Sequence, residues 1–136
     1  MEILIRDSLE SGAKMGARVV KKIFKSNNRP VLGLATGDTP LRMYHELIQM
    51  NQSGELSFQN CTTFNLDEYV GLSREDERSY FYYMMSNLFG HVDIDKKNVY
   101  LPDGNAEDLR EACRKYEQQI KDAGGIDLQV LGIGGN

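Results

Sequence analysis

Cysteine and histidine are scarce in this chain, and positive charge does not dominate it. Two cysteines among 136 residues, Cys61 and Cys113, are no disulfide framework. They read as reduced thiols of a cytosolic protein. No Cys/His cluster has metal-ligand spacing, so no metal site is expected. The net charge of −4 argues against nucleic acid or an anionic membrane as the partner, because both need a basic surface. The opening MEILIRDSLE turns acidic at once and holds no long apolar stretch, so neither a signal peptide nor a membrane span is expected. Repeats, low-complexity tracts and interdomain linkers are also missing. What remains, 40% hydrophobic and 26% charged, is the composition of one soluble globular domain.

Strand and helix periods alternate along the chain. EILIR (Glu2 to Arg6) reads as a short strand, with Asp7 capping the helix that follows and Glu10 completing a capping box. SNNRP closes that helix, since the residue before Pro30 is biased away from helical geometry. VLGLAT is a continuous apolar run, as in a strand buried on both faces. Leu41, Tyr44, Leu47 and Ile48 mark a second amphipathic helix. CTTFNL is β-branched and aromatic, hence a third strand. DEYVGLSREDERS is a polar loop, and YFYYMMSNLF is apolar almost all round, as in a buried helix. NVYL is a strand, Asn105 opens a last helix that ends at glycines, and IDLQVLGIGGN is a fifth strand. The expected fold is α/β: a Rossmann-like open, mainly parallel sheet with helices on both faces, cut off after its fifth strand. Ligands of such sheets bind beyond the carboxyl ends of the strands, so the chain reads as stopping inside its own site.

Three stretches at those strand ends can carry chemistry. In ATGDTP, Thr39 is a good N-cap and Pro40 fits a first helical turn, so free N–H groups and the positive dipole end face the crevice. Such a helix start suits a phosphate. Gly37 permits close backbone approach, and the Thr36 and Thr39 hydroxyls can donate. The same letters also suit an ordinary capped turn with no ligand. In FNLDEYVGL, Asp67 and Glu68 follow a strand on the same rim. A partly desolvated carboxylate there can serve as a general base; alternatively it caps the next turn or sits in solvent. In LGIGGN, glycines allow a ligand to approach and Asn136 can hydrogen-bond it, or the stretch is a plain glycine turn. His45, His91 and the SREDER run read as surface features, and YFYYMM as core.

GLATGDTP, FNLDEYVGL, the Ser79–Tyr80 pair, HVDI, DGNAEDL, CRKYE and VLGIGGN occur in the order seen in the glucosamine-6-phosphate deaminase family, and the chain resembles that family along its whole length. The 6-phosphogluconolactonases share the strand-TGxTP element but tend to read DER where this chain has LDEY. The resemblance implies that residues 1–136 are the N-terminal part of a single sugar-phosphate isomerase/deaminase domain. It implies an enzyme of amino-sugar catabolism that opens the ring of glucosamine 6-phosphate, moves a proton from C2 to C1 and releases ammonia and fructose 6-phosphate. No cofactor is implied. By likeness, Asp67 is the base for the C2 proton, Asn136 the first member of the ring-opening group, and Thr36, Gly37, Asp38 and Thr39 the phosphate-holding loop. Asp38 stands where the family has a small residue, so it should turn outward or pair with a cation. Family chains continue with a GH pair and a later Glu, so this chain alone is expected to be inactive on the closed-ring sugar. The alternatives are a lactonase-like hydrolase and a non-catalytic sugar-phosphate-binding module. An exposed sheet edge invites self-association into a homo-oligomer.

Overall fold

The computed structural model describes residues 2–132. The helix α1 (Leu9–Ser26) leads into strand β1 (Val31–Leu34), and α2 (Asp38–Gln52) into β2 (Thr62–Asn65). The helix α3 (Tyr80–Met84) continues as a π-helical turn over Met85–Phe89. After a 3₁₀ turn (Lys96–Asn98) come β3 (Val99–Tyr100), α4 (Leu109–Asp122) and β4 (Leu128–Gln129). All pairings are parallel and the sheet order is β3-β2-β1-β4. The parallel α/β reading therefore holds.

The chain steps outward from β1 to β2 to β3, then returns across the sheet to place β4 on the far side of β1. The direction of winding reverses between β1 and β4, and ligand crevices form at such a switch point. Leu32 and Leu34 share one face with Thr63, and above it lies the main core with Ala17, Val20, Tyr44, Leu47, Met84, Leu88 and Phe89. α1 packs on α2 at Gly16, where a Cβ would stand 2.9 Å from Met43 Sδ and the methionine would have to shift. The other face holds Phe64 stacked on Tyr100, with Tyr116 of α4 edge-on at 5.7 Å. The Tyr116 hydroxyl donates toward the Asn65 and Tyr100 carbonyls, pinning α4 over the ends of β2 and β3. Helices thus cover both faces.

Several boundaries depart from expectation. Glu2 to Arg6 form no strand, and Ile3, Leu4 and Ile5 are exposed. A strand exists only through pairing, and among the described residues neither sheet edge is paired with this segment. Four strands are therefore seen, not five. The first helix is capped by Ser8, whose Oγ accepts from Ser11 N, and not by Asp7; Glu10 instead pairs with Lys14. The last helix starts after Asp108, which accepts from Glu111 N, and not at Asn105. Asn105 turns its amide to the Leu72 carbonyl. The aromatic helix buries one side only, leaving Tyr82 and Ser86 exposed.

Candidate active site

Pairing register explains why the candidate residues meet. Leu34 is paired with Asn65, the last residues of β1 and β2, so both strands leave the sheet side by side. Leu66 N donates to the Leu34 carbonyl at that exit. On the other flank Val130 N donates to the Gly33 carbonyl, which brings the end of β4 to the same rim. A cavity of about 440 Å³ opens there, lined by residues 35–40, Leu66, Asp67, Leu131 and Gly132. Thr36, Gly37, Asp38, Thr39 and Asp67 are therefore gathered in one place. Asn136 lies outside the described residues.

The helix after β1 begins two residues earlier than the sequence suggests. Gly37, with φ +112°, is the N-cap of α2, and it makes no side-chain capping bond. Thr39 is thus inside the first turn and is not the cap. Pro40 is the third helical residue, where its lack of an N–H still costs little. Positive φ at Gly37 turns the chain out of the strand sooner than Thr39 could. The first-turn N–H groups of Asp38 and Thr39 accordingly have no capping side chain. Asp38 is exposed on the rim and, among the described residues, joins no ion pair. It lines the cavity, and the expected pairing with a cation is not seen among the described residues.

Two tyrosines hold this loop. Tyr44 is buried and bonds both polar groups of Ala35: it donates to the carbonyl and accepts from the N–H at 3.2 Å. Burial pushes its phenol up in pKa. Tyr83 of α3 donates to the Gly37 carbonyl at 2.8 Å. Neither is legible as a site residue from the sequence, where both fall on apolar helix positions.

The two acidic residues after β2 separate into different roles. Asp67 is exposed on the cavity rim, and its carboxyl pKa is raised, first by partial desolvation and then by the adjacent Glu68 charge. Glu68 points away, to the start of α3. Its Oε1 accepts from Tyr69 N and Tyr80 N, both at 2.8 Å, and its Oε2 from Phe81 N at 2.9 Å. Ser79, almost fully buried, caps the same helix through Tyr82 N. The Tyr80 phenol lies beside Tyr69, Thr36 and Asp67; its pKa is pushed up to about 12, chiefly by the hydrogen bond with Tyr69. The loop beyond Asp67 is anchored from below: Gly71 N donates to the Gly104 carbonyl, and a Cβ on Gly104 would meet Tyr69 O at 2.1 Å.

The remaining candidates fall away from the rim. His45 and His91 are exposed, with His91 Nε2 at 2.8 Å from the Ser86 carbonyl. Cys61 is a buried free thiol pushed up to about 12 by burial, and Cys113 is a free exposed one. Among the described residues no group of three or more His, Cys, Asp or Glu side chains is placed to hold a metal ion, and no helix is long and apolar enough to cross a membrane.

Residues 6–136 match the model of a family described as glucosamine-6-phosphate isomerases/6-phosphogluconolactonase. A glucosamine-6-phosphate deaminase of Thermoanaerobacter sp. (strain X514) is 54% identical over all 136 residues, which cover 54% of that protein. The chain thus spans about half the length of the curated relatives it matches. A solved monomeric glucosamine-6-phosphate deaminase superposes with a TM-score of 0.95 at 44% identity, over 98% of this chain and 56% of that one. A 6-phosphogluconolactonase from Thermotoga maritima superposes with a TM-score of 0.78 at 25% identity, over 97% of this chain and 59% of that one.

Proposed function

This chain belongs to the family of glucosamine-6-phosphate isomerases and 6-phosphogluconolactonases, and we propose that it forms the N-terminal part of one glucosamine-6-phosphate deaminase domain. It supplies the phosphate loop and the enolising base of the reaction that yields fructose 6-phosphate and ammonia. The observation that carries this reading is the single cavity shared by residues 36–39 and Asp67.

In this reading the substrate phosphate docks at the start of α2. There the first-turn N–H groups, the dipole and the Thr36 and Thr39 hydroxyls all favour an anion. Binding energy spent at the phosphate fixes the reacting carbons against Asp67. Once the ring is open, C1 is a carbonyl and the neighbouring C2 proton is acidic enough for a carboxylate to remove. The raised pKa of Asp67 suits this task, since it makes the carboxylate a stronger base than an ordinary aspartate. Asn136 is assigned to ring opening on family likeness alone, and no cofactor enters the scheme. The hydrolase reading is weaker: the lactonase superposes less closely than the deaminase and is less identical. The net charge of −4 fits a small soluble ligand better than nucleic acid. We also assign the protein to the cytoplasm. The outer edge of β4, unpaired among the described residues, supports self-association of the isolated chain.

The test joins these 136 residues to the remaining length of the Thermoanaerobacter relative and measures ammonia release from glucosamine 6-phosphate. Turnover that disappears in Asp67→Asn, with substrate binding kept, is the expected result. Turnover retained in that variant would remove Asp67 from the role of base.

A further inference from the structure

Glu68 does more than end a loop. Its carboxylate takes three backbone N–H groups, one from its neighbour Tyr69 and two from the first turn of α3, twelve and thirteen residues away. The same helix, at Tyr83, reaches the other loop of the site and donates to the Gly37 carbonyl. α3 therefore touches both halves of the cavity wall, at 67–69 through Glu68 and at 37 through Tyr83. We propose that Glu68 is a positioning residue of the site, fastening the Asp67 loop to α3 so that the helix sets the separation between the base and the phosphate loop. This rests on Asp67 being the base, but its tests do not need turnover.

The geometry distinguishes this from simple helix capping. Ser79 already caps α3 through Tyr82 N. Glu68 fills the two N–H groups ahead of that one, from a different segment of chain, immediately after Asp67. Tyr80, whose N–H it accepts, sets its phenol beside Thr36 and Asp67. The titratable groups around Asp67 are thus Glu68 and Tyr69 on its own loop, Tyr80 on α3, and Asp38 across the cavity.

The experiment is a side-chain carboxyl and amide NMR titration of the chain in three forms: unsubstituted, Glu68→Gln and Tyr83→Phe. Glu68→Gln keeps the side-chain length and one acceptor oxygen but removes the charge. The expected result is that the Asp67 titration moves to lower pH and that the amide signals of residues 36–39, which Glu68 does not touch, also shift. Tyr83→Phe removes only the hydroxyl on the Gly37 carbonyl, and its expected effect is a shift at Asp67, on the opposite loop. If Glu68→Gln fails to fold, Tyr83→Phe decides alone. An unmoved Asp67 titration, or shifts confined to the substituted helix and its nearest loop, overturns the proposal. Loss of the proposed reaction in Asp67→Asn is a separate readout, so the assignment of the base and the positioning role can fail independently.

Discussion

Two helices start at the rim of this protein, and their first turns are filled in opposite ways. α3 carries its own anion: Glu68 takes the Tyr80 and Phe81 N–H groups and Ser79 takes that of Tyr82. α2 starts from a glycine with no capping side chain. Any helix leaves its first N–H groups without backbone partners, and side chains, water or ligands must satisfy them. Where the chain provides the acceptor, the helix end becomes a fixed strut. Where it does not, an external anion gains the most. The same physical feature serves architecture at one helix and, in the proposed function, is left for a ligand at the other.

The contrast can be broken at several points. The largest effect belongs to the proposed base: Asp67→Asn should lower the rate of the proposed reaction by about 10²–10⁴-fold, the usual reach of general base catalysis, while phosphate affinity changes little. Steady-state kinetics beside a binding titration checks both parts. The rate should also fall with acid as Asp67 protonates, and because its pKa is raised that limb lies above the ordinary aspartate value. A pH–rate profile with its acid limb at or below that value contradicts the desolvated rim.

Next is the anchor beneath the loop. Gly104→Ala would place a methyl 2.1 Å from a backbone oxygen, which cannot rotate away as a side chain could. Overpacking of this kind costs about 1–3 kcal/mol, visible in chemical denaturation, and should disturb Tyr69 and Asp67 first. The two helix starts give the sharpest pair. Ser79→Ala should cost about 1 kcal/mol of stability, the usual value of a lost N-cap. Thr39→Ala should stay within roughly 0.5 kcal/mol, because Thr39 is not the cap. Equal losses in the two variants would erase the distinction drawn here.

The smallest effect is at Asp38. Its exposed carboxylate stands where a phosphate would bind, so Asp38→Asn should tighten phosphate binding a few-fold at low salt and less at high salt. The same change should cost a few tenths of a kcal/mol in stability, since a negative charge in the first turn favours the helix dipole. Isothermal titration at two ionic strengths, beside a melting curve, separates the two.

Much of this was readable from the letters, for definable reasons. VLGLAT and CTTFNL became β1 and β2 because buried central strands need unbroken apolar or β-branched runs, and their register alone brought ATGDTP and Asp67 together. EILIR has the same composition but no described neighbour to pair with, and composition does not report pairing. Helix starts slipped where several capping residues crowd together: Asp7 beside Ser8, Asn105 before Asp108, Gly37 before Thr39. Glu68 was legible as a carboxylate able to cap the next turn, and it does so at α3. Tyr44 and Tyr83 were hidden for a different reason: their partners are backbone atoms, whose positions no side-chain motif records, and Tyr83 reaches a loop 46 residues away. The π turn at Met85–Phe89, closed by Gly90 N on the Met85 carbonyl, likewise leaves no periodic trace in so short a segment.

The central claim is that residues 36–39 and Asp67 belong to one ligand pocket, and an amide NMR titration with glucosamine 6-phosphate addresses it most directly. The account predicts that the signals of Gly37, Asp38, Thr39 and Asp67 move together with one dissociation constant, and that inorganic phosphate reproduces the response of the first three. A response confined to either loop, or different dissociation constants for the two, would contradict it.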